Sequence, residues 1–218
     1  MSRKATCELV ERLGLIPVVR APSAEGAVAL GRALFEGGIS CLEITLTVPG
    51  GANVIRQLRA ELGETALVGA GTVTTEREAH ECLDAGAQFL VSPATVPAII
   101  APAHAREIPV MLGALTPSEV LLAHQSGADF VKVFPCSALG GAEYLKALKG
   151  PFPHIKLLPT GGVVLETMAA YVSAGAAALG VGTALADYKL LSTKGHGALV
   201  ELARRYADAF KALKPKAV

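Results

Sequence analysis

The sequence predicts an α/β fold, a single (β/α)8 TIM barrel with an extra N-terminal helix, filling residues 1–218 as one domain. Three observations point to it. Short apolar runs recur eight times at near-regular spacing, helix-like stretches separate them, and glycine-bearing helix stops of one form precede the strands. Parallel strands covered on both faces read as continuous apolar runs instead of alternating ones.

Taken in order, a helix is expected over about 6–13, then a strand at 16–19 and a helix over 23–36. Strands at 41–45 and 66–70 precede helices over 51–62 and 75–85. Runs at 89–92, 110–113 and 130–134 follow, with a helix over 117–126 before the last of them. Strands at 156–159 and 178–181 flank a helix over 165–174, and a helix over about 196–213 closes the alternation. Gly37-Gly38, Gly86, Gly127 and Gly175 each stand between a helix and a strand, where glycine admits the left-handed conformation that ends a helix. Thr116-Pro117-Ser118-Glu119 supplies an N-cap, a proline at the first helical position and an acid in the first turn.

Composition narrows the function. With 20 Lys+Arg against 19 Asp+Glu, the chain lacks the basic excess that nucleic-acid binding draws on. Aromatic content of 5% without tryptophan argues against base-stacking platforms. An apolar content of 51% excludes intrinsic disorder. Four widely spaced cysteines, Cys7, Cys41, Cys82 and Cys136, fit neither a disulfide framework nor a zinc site, and the histidines show no metal-ligand spacing. The N-terminal segment carries charges instead of a secretory signal's apolar stretch, so a cytoplasmic protein is expected. The uncharged run between Glu166 and Asp187 approaches membrane-spanning length. Gly175 and Gly180-Val-Gly182 break it into helix, turn and buried strand, so no membrane partner is expected.

In such barrels chemistry sits at the C-terminal ends of the strands. Lys132 stands inside the apolar run Phe130-Val-Lys-Val-Phe134, and alternation puts Phe130, Lys132 and Phe134 on one face, toward the lumen. Burial disfavours an ammonium relative to the neutral amine, and the neutral amine is the nucleophile that forms a Schiff base. A structural, ion-paired lysine is the alternative. Glu43 shares a lumen face with Cys41 and Thr45, and could be a general acid/base or a salt-bridge partner. Arg20 ends the first strand and could hold a substrate carboxylate, or form a surface ion pair. Thr72 and Thr160 follow strands three and seven, where a hydroxyl could orient a carboxylate or water, or cap a helix. Gly161, Gly162, Gly182 and Thr183 fall in the two loops that often form a phosphate site in these barrels, although glycine also simply permits tight turns.

The motifs Glu43-Ile-Thr-Leu-Thr-Val-Pro, Val68-Gly-Ala-Gly-Thr-Val, Phe89-Leu-Val-Ser-Pro, Val131-Lys-Val-Phe-Pro and Leu158-Pro-Thr-Gly-Gly-Val resemble those of class I aldolases. The family is the 2-keto-3-deoxy-6-phosphogluconate (KDPG) and 4-hydroxy-2-oxoglutarate (KHG) aldolases, and the likeness runs over about 13–186. The resemblance implies Lys132 as the Schiff-base lysine and Glu43 as the acid/base. It implies Arg20, Thr72 and Thr160 at the pyruvyl portion of the substrate, with Phe134 packed over it. Gly161, Gly162 and Thr183, with Gly182 in the same loop, correspond to the phosphate end. Where some members carry an arginine this chain has Thr47, which leaves Arg20 to contact the carboxylate. The resemblance further implies a small keto-acid substrate, no cofactor, no metal, and a homotrimer. Phosphosugar isomerases and epimerases on similar barrels, and a non-catalytic phosphometabolite binder, are the alternatives that the residues alone leave open.

Overall fold

The computed structural model describes residues 1–213, and the last five positions of the expected domain, 214–218, lie outside the described residues. The strands are β1 (Leu15–Val19), β2 (Cys41–Thr45), β3 (Leu67–Gly71), β4 (Leu90–Val91), β5 (Val110–Ala114), β6 (Phe130–Val133), β7 (Leu157–Pro159) and β8 (Leu179–Val181). All pair in parallel, in the order β7-β6-β5-β4-β3-β2-β1-β8. The sheet closes on itself between β7 and β8, where Thr160 bridges Gly180 and the Ala177 amide donates to the Leu157 carbonyl at 2.8 Å. This is the expected (β/α)8 barrel.

The helices are α1 (Arg3–Leu13), α2 (Ala24–Glu36), α3 (Gly51–Leu62), α4 (Glu76–Asp84), α5 (Ile100–His104), α6 (Pro117–Gln125), α7 (Ala142–Lys149), α8 (Met168–Ser173), α9 (Tyr188–Lys194) and α10 (His196–Leu213). Thr75 and Thr116 each close a capping box, with Glu78 and Glu119 respectively, which fixes where α4 and α6 begin. Gly38, Gly86, Gly127 and Gly175 all take φ between 90° and 103°, the left-handed turn their positions predicted. The helices α5, α7 and α9 fill gaps that the apolar periodicity leaves unassigned. The run from Glu166 to Asp187 resolves into α8, a turn and β8, and no helix among the described residues is long and apolar enough to cross a membrane.

Strand alternation divides the apolar residues into two clusters. Leu42, Ile44, Leu90, Leu112, Val131 and Val133 face the helices, within the larger cluster. Ile16, Cys41, Leu67, Phe89, Val91, Met111, Phe130 and Leu158 face the lumen, where Cys7 and Val10 of α1 join them and plug its N-terminal end. The lumen is therefore a packed core below and is open only toward the C-terminal ends of the strands, which is where polar side chains can meet a ligand.

Candidate active site

Lys132 and Glu43 rise from β6 and β2, on opposite sides of an eight-stranded barrel, and their side chains meet across the lumen with Nζ 3.4 Å from Oε1. The two side chains are only 5% and 2% exposed, so this is an ion pair within the protein interior. The glycines paired with them give their space to other groups, Gly113 of β5 beside Lys132 to Pro93 and Gly69 of β3 beside Glu43 to the Phe89 ring. Gly71, two residues further along β3, makes room for the carboxylate: a Cβ there would stand 2.1 Å from Oε1 and 2.6 Å from Cγ of Glu43, so any larger residue must displace the whole acid group.

The cavity above this pair has a volume of about 210 Å³ and is lined by Val18, Arg20, Thr72, Pro93, Lys132, Phe134, Thr160, Gly161, Gly182 and Thr183. It gathers eight of the ten residues singled out from sequence. Glu43 lies just outside the lining and reaches it through Lys132. Gly162 stands behind Gly161, where a Cβ would meet the Ser137 side chain at 2.5 Å. Val18 and Pro93 are the additions. Both continue the lumen-facing alternation, of Ile16 and of Phe89 and Val91, but apolar residues carry no chemical signal by which sequence could have marked them.

Each polar group is held by its local structure. Thr72 has φ of 61°, a left-handed conformation that a β-branched residue adopts at a cost of about 1–3 kcal/mol. It caps no helix, since Thr75 performs that role. Thr160 is not a cap either, as it bridges to β8 and packs on Gly180, where a Cβ would lie 2.1 Å from its hydroxyl oxygen. That hydroxyl oxygen is buried and has no hydrogen-bond partner among the described residues, although an unpartnered buried hydroxyl costs about 1–3 kcal/mol. The Phe134 ring stands at the rim, 37% exposed, with its centroid 5.6 Å from the Lys132 nitrogen. Gly161 and Gly162 are consecutive left-handed residues, at φ of 91° and 75°. Their carbonyls are tied outward, that of Gly161 to the Tyr171 hydroxyl at 3.4 Å and that of Gly162 to the Thr167 hydroxyl at 2.9 Å. Arg20 lies at the mouth, with Nη1 donating to the Thr47 hydroxyl at 3.1 Å.

Chemically, the arrangement offers an amine nucleophile beside a carboxylate that can accept or return its proton, beneath a small polar-rimmed chamber. The lumen thiols do not compete for that role. Burial pushes the Cys7 thiol up to about 12 and Cys41 higher still, which leaves both protonated near neutrality.

The family model described as KDPG and KHG aldolase matches residues 7–202. The 2-dehydro-3-deoxy-phosphogluconate aldolase of Treponema pallidum is 39% identical over 166 residues, 76% of this chain and 79% of that protein. The KHG/KDPG aldolase of Escherichia coli K12 is 32% identical over 209 residues, 95% of this chain and 98% of its own. Among solved structures, the KDPG aldolase of Legionella pneumophila with pyruvate captured at low pH as a covalent carbinolamine intermediate superimposes with a TM-score of 0.82. It shares 31% identity, over 94% of this chain and 97% of that one. The match spans every strand of the barrel, including the pair of charges at its centre, and the chain belongs to the KDPG and KHG aldolase family.

Proposed function

We propose that this chain is a metal-independent class I aldolase that cleaves 2-dehydro-3-deoxy-6-phosphogluconate to pyruvate and D-glyceraldehyde 3-phosphate, and 4-hydroxy-2-oxoglutarate to pyruvate and glyoxylate. The observation that carries the reading is the buried amine of Lys132, 3.4 Å from the Glu43 carboxylate and opening into the cavity.

In this reading the Lys132 amine attacks the C2 ketone of the substrate, giving a carbinolamine. Glu43, directly or through a water, delivers a proton to the C2 hydroxyl, which leaves as water and yields the protonated imine. Glu43 then removes the C4 hydroxyl proton. The C3–C4 bond breaks, its electron pair flows into the imine, and the aldehyde departs. Protonation of the resulting enamine at C3 and addition of water to the imine release pyruvate and restore the amine. Arg20 and Thr72 hold the pyruvyl carboxylate. Thr160, whose buried hydroxyl lacks a partner among the described residues, bonds the group at C2, and Phe134 covers the bound chain. Gly161, Gly162, Gly182 and Thr183 receive the phosphate, with the outward-tied carbonyls of Gly161 and Gly162 in support. Purified protein supplied separately with each substrate is expected to release pyruvate from both, measured by coupled reduction to lactate. Pyruvate release from neither would sink the reading.

The same reading makes the chain one domain, since all eight strands enter a single barrel, and places it in the cytoplasm, in line with four unpaired cysteines. It also makes the protein a homotrimer. Leu121, Leu122, Phe134 and Leu139 are large exposed apolar residues close to one another in sequence, and Leu122 and Phe134 line one crevice of about 370 Å³ beside the mouth. A component of a designed protein cage built from fused symmetric oligomeric domains resembles the chain at a TM-score of 0.83. Light scattering on a sizing column should return a mass near three chains, and Leu122→Glu should lower it. A monomer for the unaltered protein would contradict the assignment.

A further inference from the structure

Arg20 does not hang free at the mouth. Its guanidinium is the start of a hydrogen-bonded chain that runs into the barrel wall, and the direction of every bond in that chain is determined. The Thr45 hydroxyl, fully buried at the end of β2, has a single proton and donates it to the Val19 carbonyl at 3.0 Å. The contact of 2.7 Å between Thr45 and Thr47 must then have Thr47 as donor. The Thr47 oxygen is left as an acceptor and takes a hydrogen bond from Nη1 of Arg20 at 3.1 Å. Arg20 follows Val19, so the chain loops from the last residue of β1 across β2 and back, and pins a long side chain to two strands of the barrel.

We infer that Thr47 is a positioning residue for Arg20: its hydroxyl fixes the guanidinium so that the remaining N–H groups face the cavity, ready for the carboxylate of the keto-acid. The inference rests on the aldolase reading given above. An arginine has five N–H donors in a rigid fork, and engaging one of them with Thr47 leaves the opposite edge for two parallel bonds to a carboxylate. Anchoring also reduces the rotamer freedom that an exposed arginine would otherwise lose on binding. A neutral acceptor suits this role better than a carboxylate, which would form an ion pair with Arg20 and compete with the substrate. Thr47 thus determines how well the site recognises the acid end that every 2-keto acid shares, while the aldehyde end is read elsewhere.

The test compares Thr47→Val, Thr47→Ser, Arg20→Ala and the double variant Arg20→Ala with Thr47→Val. Valine keeps the shape and leaves the Thr45 bond to Val19 intact, and position 47 is exposed, so folding is not at risk. Thr47→Val is expected to raise KM for the keto-acid, and the pyruvate concentration that half-saturates borohydride-trapped adduct formation, by about 3- to 10-fold, with kcat changed by less than about twofold. Thr47→Ser should restore both values, and the valine should add nothing when Arg20 is already alanine. Unchanged half-saturation in Thr47→Val, or a further loss of the same size in the Arg20→Ala background, would overturn the inference while the adduct itself still forms. Failure of the unaltered enzyme to form any pyruvate adduct would overturn the aldolase reading, and this inference with it.

Discussion

Replacing Lys132 with methionine should lower kcat by on the order of 10⁴-fold or more, because in the proposed mechanism it removes the nucleophile on which every later step depends. Among the described residues no other lysine lines the cavity, so none of them can take over. The substitution also leaves the Glu43 carboxylate 2% exposed and without its partner, and breaking a buried ion pair costs about 3–5 kcal/mol. Methionine fills the space of the lysine stem, and circular dichroism with a urea titration would separate a folded, inactive enzyme from an unfolded one. Activity within about tenfold of the unaltered enzyme would rule out the imine.

Glu43→Gln has the second largest expected effect and a different signature. Glutamine fits the space that Gly71 leaves, but it cannot carry a proton, and loss of a general acid/base typically costs about 10²- to 10⁴-fold in kcat. The amine remains in place, so a pyruvate adduct should still form on Lys132, only more slowly. Single-turnover measurements should show the deficit in dehydration and C–C cleavage, with substrate affinity little changed. If Glu43→Gln weakened substrate binding and left kcat intact, the carboxylate would be a binding group and not the proton carrier.

Much of the fold was legible because strands buried on both faces have a signature of their own, and because capping boxes and left-handed glycines mark where helices begin and end. The shortest strand was the hardest to delimit. At β4 the run 89–92 reads as four residues, yet only Leu90–Val91 form the strand, and Pro93, which has no N–H to donate, follows closely. The charged centre was legible for a related reason: in a chain so apolar, a lysine and a glutamate placed at lumen-facing positions are conspicuous. The alternation that identified them also predicted that they share the lumen, but not that they meet, since that depends on β2 and β6 lying across the barrel and on the room that Gly71 leaves for the Glu43 carboxylate.

Other features depend on contacts that sequence spacing cannot encode. The left-handed backbone of Thr72 is unexpected for a β-branched residue, and the Arg20-Thr47-Thr45 chain depends on how the loop after β2 folds back. Val18 and Pro93 shape the cavity by volume alone. The role of Gly71 follows only from register, which sets it diagonally across from Glu43, one step beyond the Glu43–Gly69 pair.

Mass spectrometry of the protein after borohydride reduction with pyruvate tests the central claim most directly. The intact chain should gain the mass of one pyruvic acid less one oxygen, the proteolytic peptide carrying that gain should contain Lys132, and Lys132→Met should abolish it. An unmodified chain under conditions in which the enzyme turns over its substrate, or an adduct on any lysine other than Lys132, would contradict the account.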